Sequence, residues 1–311
     1  MWKLLQFIFN FSAILANREE KIFFKISDLL ILIVINLCWM QPAIANESSI
    51  YDNNKSGGVI FPQTQLYPHY IANPLRPSFS FQNISYSKTE ITDTSLHRYD
   101  LKVGGHLGIY RSQPEKTNRG WQLTFGAGFH GEFDPASSED NVGWDGIFSL
   151  SLEMRFNKTL AHRFGTQHIS SHVGDELIER TGIKRINYTR QEIRYGMMWF
   201  MSPHWQSYIE IGKAYDLRNK LIQKSWRSEL GFQYENKKYW MSNLGWYLAA
   251  DFSSYEENDW DINTSLHLGI ITTKKERNYR FGFEFYEGRS PLGEFFQANE
   301  KYIGIGLWID I

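Results

Sequence analysis

The chain has 311 residues, 42% hydrophobic, 16% aromatic and 22% charged, with 33 basic against 34 acidic side chains. A net charge near zero excludes the basic footprint that a nucleic-acid binder needs to displace counterions, so no nucleic-acid partner is expected. A mean hydropathy of -0.42 excludes a bundle of membrane-spanning helices, each needing about 20 nearly continuous apolar residues, but not a membrane β-barrel, whose strands alternate lipid-facing and lumenal residues.

The first recognisable element is an apolar run, Leu29 to Met40, preceded by Lys21 and Lys25 and followed by Ala43-Ile44-Ala45. It is too short to span a bilayer, and the small-x-small triplet suits signal peptidase, so residues 1–45 read as a signal peptide cleaved between Ala45 and Asn46. Residues 1–28 make an unusually long start for such a signal. The sole cysteine, Cys38, falls in the removed segment and follows Leu37, where a lipoprotein signal requires a small residue. The exported chain is therefore expected to lack a lipid anchor, disulfides and thiolate chemistry.

Residues 46–76 contain Asn, Ser, Gly and the prolines Pro62, Pro68 and Pro74, with Pro77 at the boundary, and show little periodicity. They read as an extended N-terminal lead. From 77 to 311 apolar and polar residues alternate with period two, the signature of strands with two different faces. Segments over 77–87, 99–111, 119–133, 143–156, 158–171, 186–199, 204–217, 223–235, 243–254, 260–273, 277–288 and 300–311 predict twelve strands. Most reach the roughly 9 to 11 residues that a tilted strand needs to cross an outer membrane. Turns near Asn157, Pro203 and Lys274 are short, whereas connectors 87–98, 134–142, 172–185 and 289–299 are longer and polar. Long connectors on one side and short ones on the other suit an antiparallel transmembrane β-barrel of about twelve strands, embedded in outer-membrane lipid and lipopolysaccharide. Tyr195, Trp199, Phe200, Trp205 and Tyr208 are expected near a lipid–water interface.

The final strand places Ile303, Ile305, Leu307, Ile309 and Ile311 on one face and Gly304, Gly306, Trp308 and Asp310 on the other. It resembles the C-terminal signal read by barrel-assembly machinery, with Ile311 where an aromatic residue is usual. Inside the barrel, Arg163, Gln167, Arg190, Glu192 and Arg194 are expected to face the lumen, where opposite charges cross-link and plug a narrow barrel more often than they line a pore.

No glycine-rich phosphate loop, zinc-ligand spacing or nucleophile elbow occurs, so neither cofactor nor metal is called for. The one constellation suited to chemistry is HISSHVGDE, residues 168–176. Alternation puts His168 and Ser170 on the face shared with Leu160 and Phe164, the lipid side. Residues two apart on a strand lie about 6.6 Å apart, so the imidazole could take the hydroxyl proton and activate Oγ. His168-Ile169-Ser170 is similar to the His-x-Ser-Asn motif of outer-membrane phospholipase A and the lipid A deacylases, although Ser171 replaces the motif's Asn. That resemblance implies an acyl-ester hydrolase with Ser170 as nucleophile and His168 as base. The imidazole would be oriented by Asn187 in the phospholipase pattern, or by Asp175, Glu176 or Glu179 in the deacylase pattern. The bland alternative is ordinary polar decoration at a barrel rim. Likewise Asp134, Glu139, Asp140, Asp175 and Glu176 read as solvated acidic loops before they read as ligands for a divalent ion bridging lipopolysaccharide.

The strings IANPLRPSFS (71–80), QHISSHVGDE (167–176) and YEGRSPLGEFF (286–296) look like a bacterial family known as domain of unknown function 1207. The resemblance implies an exported protein of a Gram-negative-type envelope and no particular reaction. Two functions stay open: a non-catalytic envelope or narrow-pore protein, and an outer-leaflet lipid acyl-ester hydrolase.

Overall fold

The computed structural model describes residues 57–310 apart from 115–116, 139, 242–243 and 275–276. The signal segment with its Ala45–Asn46 cleavage and Cys38, together with Glu139, lies outside the described residues. After a two-residue strand β1 (Val59–Ile60), twelve long strands follow: β2 (Phe79–Thr89), β3 (His97–Arg111), β4 (Gly120–Asp134), β5 (Asp140–Arg155), β6 (Leu160–Val173), β7 (Thr189–Phe200), β8 (Trp205–Leu217), β9 (Trp226–Met241), β10 (Leu244–Tyr255), β11 (Ile262–Lys274), β12 (Arg277–Arg289) and β13 (Asn299–Ile309). Each pairs antiparallel with its chain neighbour, and β13 returns to β2 with Ile309 opposite Phe79. The result is a closed 12-strand antiparallel barrel. Closure gives each of the twelve long strands a partner on both sides and removes the unpaired edges of an open sheet.

Side chains sort by parity. On β13, Ile303, Ile305 and Leu307 are 41%, 42% and 43% exposed, whereas Trp308 is 3% exposed. The outer face is thus a belt of Phe, Leu and Ile open to the surroundings, and the inner face is buried and largely polar, with Arg98, Arg111, Arg190, Glu132 and Asp145 among its buried residues. No helix among the described residues is long and apolar enough to cross a membrane, which says nothing of strands. One short helix, α1 (Asp175–Thr181), sits in the longest connector.

The first and last described residues lie at one end of the barrel, where the connectors at 156–159 and 201–204 are tight; the connectors at 174–188, 218–225 and 290–298 lie at the opposite, far end. Two segments then fill the lumen. The first is the N-terminal lead. β1 pairs with the stretch of β3 that extends past the start of β2, and residues 61–78 pass inside the barrel, burying Leu66, Tyr67, Tyr70, Ile71 and Ala72. This plug is tied to the wall all along its length. Its Tyr67 and Ile71 amides donate to Glu153 (3.1 Å) and Gln233 (3.0 Å), and Asn73 Nδ2 donates to Glu229 (2.7 Å). Arg76 pairs with Asp310 (2.9 Å) beside the end of β13. Tyr70 stacks on Tyr208 with ring centroids 3.7 Å apart. Tyr208, expected from sequence at a lipid interface, therefore faces inward. The correction follows from strand parity, since Tyr208 shares a face with the lumenal Glu210.

The second segment is the β12–β13 connector. Leu292, Phe295 and Phe296 are buried; Leu292 and Phe295 pack with Ile91, Val142, Val173 and Leu177, while Phe296 packs with Ile147, Ile169 and Tyr188. The carboxylate of Glu294 accepts the backbone N–H groups of Ile186 and Tyr188, both at 2.8 Å, and the Glu294 N–H donates to Ser171 Oγ at 2.8 Å. Leu75 of the plug packs against the Phe296 cluster, so the plug and the inward loop meet inside the barrel.

Candidate functional site

The outer wall near the far end of β6 carries the sequence-predicted residues. His168, Ser170 and His172 share the outward face, because the intervening Ile169, Ser171 and Val173 are buried inside. The structure joins Ser170 to His172 by a hydrogen bond between Oγ and Nε2 at 3.3 Å. His168 makes no hydrogen bond among the described residues and lies beside Phe148, with ring centroids 6.3 Å apart. His172 is held by stacking on Trp144 at 4.3 Å and 24°, its partner across the β5–β6 ladder. Gly146 stands opposite Ser170 in the same ladder. Glycine leaves an open notch next to the hydroxyl, walled by Trp144 and Phe148.

Asn187 precedes β7 with φ 56°, a left-handed conformation in which asparagine is favoured. It hydrogen-bonds to neither His168 nor Ser170. Asp175 pairs with Arg185, and no hydrogen bond joins Asp175, Glu176 or Glu179 to either histidine. Asp134 is buried, accepting the N–H groups of Ser95 (2.8 Å) and Ala136 (3.0 Å), and so is a cap for the turn after β4 and not a solvated loop residue. Asp140 faces Arg180 at 3.5 Å.

Inside, Arg163, Gln167, Arg190, Glu192 and Arg194 are all buried in the lumen. Arg190 pairs with Glu192 (2.8 Å) and Glu257 (3.3 Å), Arg227 with Glu192 (2.7 Å) and Glu229 (2.8 Å), and both Arg163 and Arg227 donate to Glu210. Charges of both signs thus cross-link the walls, an arrangement in which deleting one partner strands the other. In the far-end connectors, burial raises the Glu257 carboxyl, with Arg190 pulling it back, and burial lifts the Tyr188 phenol well above its usual range. Asp100, His130 and Glu132 bring ligand atoms within 4.8 Å of one another. His130 is already bonded to Asp100 (2.5 Å) and Glu132 to Arg98 (3.0 Å), so a metal would have to displace internal hydrogen bonds.

Between the plug tip and the inward loop lies a cavity of about 80 Å³ whose walls include Asn73 and Arg76, Gln167 and Ile169, and Arg289 and Ser290. The three sequence strings noted above, far apart in the chain, each contribute to this one enclosure. The sequence matches the family described as protein of unknown function, DUF1207, over residues 44–310. The chain belongs to that family. No curated protein sequence matches it. Among solved structures, it is similar to an active-site mutant of outer membrane phospholipase A from Escherichia coli (TM-score 0.54, 11% identity, 79% of this chain and 95% of that one). It is also similar to the calcium-bound dimer of the Salmonella typhi phospholipase (TM-score 0.53, 11% identity, 79% and 95%). At this identity the likeness is one of fold.

Sequence reasoning found the outward face of β6 and missed three things: His172 as the partner of Ser170, the plug, and the inward loop. The His172 alternative was visible in the Ser170-x-His172 spacing, which satisfies the same two-residue rule as His168-x-Ser170.

Proposed function

We propose that this DUF1207 protein is a sealed outer-membrane barrel that does not conduct solutes and acts through its outer wall and far-end surface. The observation that supports this most is the double closure of the lumen, by residues 61–78 from one end and by the 290–298 loop from the other, meeting at Leu75. The apolar outer belt supports insertion in lipid, with the end of the barrel that holds β1 and the close of β13 toward the periplasm and the longer connectors outside. Heat-modifiable mobility and outer-membrane fractionation test the location; recovery as a soluble periplasmic protein overturns it. Planar-bilayer recording of purified protein should show no large unitary currents, and reproducible large currents would overturn the sealed reading.

A second reading is favoured by the Ser170–His172 hydrogen bond beside the Gly146 notch. It is an acyl-ester hydrolase of the outer leaflet, the chemistry carried by the name of the phospholipases whose fold it shares. Ser170 Oγ would attack the ester carbonyl while a histidine takes its proton, the alkoxide leaves with that proton, and water then releases the acyl group. His172 is in hydrogen-bond reach in this state; His168 lies two residues away on the other side, and Asn187 stays available to orient an imidazole. Acyl release from phospholipid or lipopolysaccharide, measured with Ser170→Ala, His168→Ala and His172→Ala, decides both whether there is a reaction and which histidine serves it. Equal release by all four proteins, or by none, retires this reading.

A further inference from the structure

We propose that the lumenal cavity between the plug and the inward loop binds a small oxyanion, a phosphate or carboxylate group, with Arg194 as its principal ligand. The argument starts from hydrogen-bond capacity. The acidic residues lining the cavity are already engaged: Asp145 accepts from Ser171 Oγ and the Gly293 N–H, Glu229 from Asn73 and Arg227, and Glu257 from Tyr188, Arg190 and the Lys224 N–H. Unused capacity sits chiefly on donors, three of them guanidinium nitrogens that cannot accept. The Nε atoms of Arg163, Arg194 and Arg289 and the Oγ of Ser290 are buried without a partner, as is Nδ1 of His106, and all five residues line the same cavity.

Arg194 is the extreme case. It is 9% exposed, makes no hydrogen bond among the described residues, and meets its nearest carboxylate, Glu210, only at 3.6 Å. Glu210 is already shared by Arg163, Arg227 and the Tyr70 hydroxyl. An arginine cannot shed its proton to escape this environment, and a buried guanidinium with five donors is strongly biased toward a bidentate oxyanion. About 80 Å³ accommodates several waters or one such group. Water would fill the donors' geometry but leave Arg194 with only its long, shared pairing to Glu210; an oxyanion supplies both hydrogen bonds and a closer counter-charge. The lining from plug and inward loop means that a bound anion would also join the two segments that close the lumen.

The test is titration calorimetry on the purified, folded barrel at constant ionic strength, using inorganic phosphate, acetate and glycerophosphate, with chloride as background. Saturable one-site binding of at least one of the three is expected. Phosphate or acetate binding indicates a free anion, and binding of glycerophosphate alone indicates a lipid headgroup. Arg194→Gln should weaken binding about tenfold or more, the loss expected for one charge-assisted hydrogen bond. Lys301→Gln, an exposed charge on the outer wall, should leave it unchanged. Thermal melts give an independent sign: the bound anion should raise the midpoint of the natural protein but not of Arg194→Gln, while without anion the variant should be at least as stable. Should Arg194→Gln fail to fold, Ser290→Ala reports instead, with a smaller loss of affinity. No saturable heat with any of the three anions, or affinity unchanged in the folded variant, overturns the proposal.

Discussion

Replacing Tyr70 by alanine should release the plug while leaving the barrel closed. Tyr70 stacks face to face on Tyr208 at 3.7 Å, exchanges a 2.7 Å hydrogen bond with Tyr67, donates to Glu210 at 3.2 Å and lies under the Arg163 guanidinium at 4.5 Å. Removing a buried aromatic side chain costs about 3 to 5 kcal/mol, and the lost hydrogen bond to a charged acceptor adds about 1.5 to 3 kcal/mol. The strand ladders contribute nothing to this sum, because no barrel strand pairs through Tyr70. The loss of about 4.5 to 8 kcal/mol therefore falls on the plug–wall equilibrium, where it changes the displaced population by roughly three to six orders of magnitude. Native-state hydrogen exchange reads it directly. The Tyr67 and Ile71 amides, bonded to Glu153 and Gln233, should lose roughly three to six orders of magnitude of protection, by the same conversion of about 4.5 to 8 kcal/mol, while amides of β11 and β12 keep theirs. Tyr70→Phe should lose only the hydroxyl contributions. Unchanged protection at Tyr67 and Ile71 in a folded Tyr70→Ala protein would refute the view that these contacts hold the plug.

At the far end, Leu292→Ala should cost about 2 to 5 kcal/mol and appear as faster proteolysis within 290–298, since Leu292 is fully buried in the Ile91–Val142–Leu177 cluster. Gly174→Ala should disrupt the start of α1, because an added Cβ would lie 1.7 Å from the Asn141 carbonyl oxygen; exchange of the α1 amides measures it. Burial raises the Glu257 carboxyl. Its contribution to stability is accordingly complete below the unfolded pKa and declines as pH rises through the folded one. A carboxyl-carbon titration by NMR should place its midpoint above that of an exposed glutamate, and a midpoint at or below that of a free side chain would contradict the assignment.

The barrel wall was legible because a strand's period is fixed by its backbone. Any segment such as 303–309, alternating Ile or Leu with Gly and Trp, can satisfy both an apolar outside and a packed inside only as a two-faced strand. The same parity placed Arg163, Gln167 and Arg194 inside and His168 and Ser170 outside. Parity was also where the aromatic reading of Tyr208 failed, since position near a strand end does not say which face a ring takes. Asp134 shows a similar limit: an acidic residue beside a turn reads as solvated until its partners, the amides of Ser95 and Ala136, are placed around it.

Sequence by itself determined the strands, the order of long and short connectors and the family strings, because these depend on local periodicity and on residues adjacent in the chain. Only the tertiary structure decided that residues 61–78 enter the lumen, that the 290–298 loop folds in to meet them, and that Ser170 bonds to His172 in place of His168. The physical reason is that these outcomes depend on pairings between residues far apart in the chain, Ile71 with Gln233 and Glu294 with Ile186. Aperiodic, proline-rich segments carry no pattern that names such partners. A rotamer choice between two histidines equally spaced from one serine is made by the stacking of His172 on Trp144 across the ladder, which no one-dimensional spacing contains.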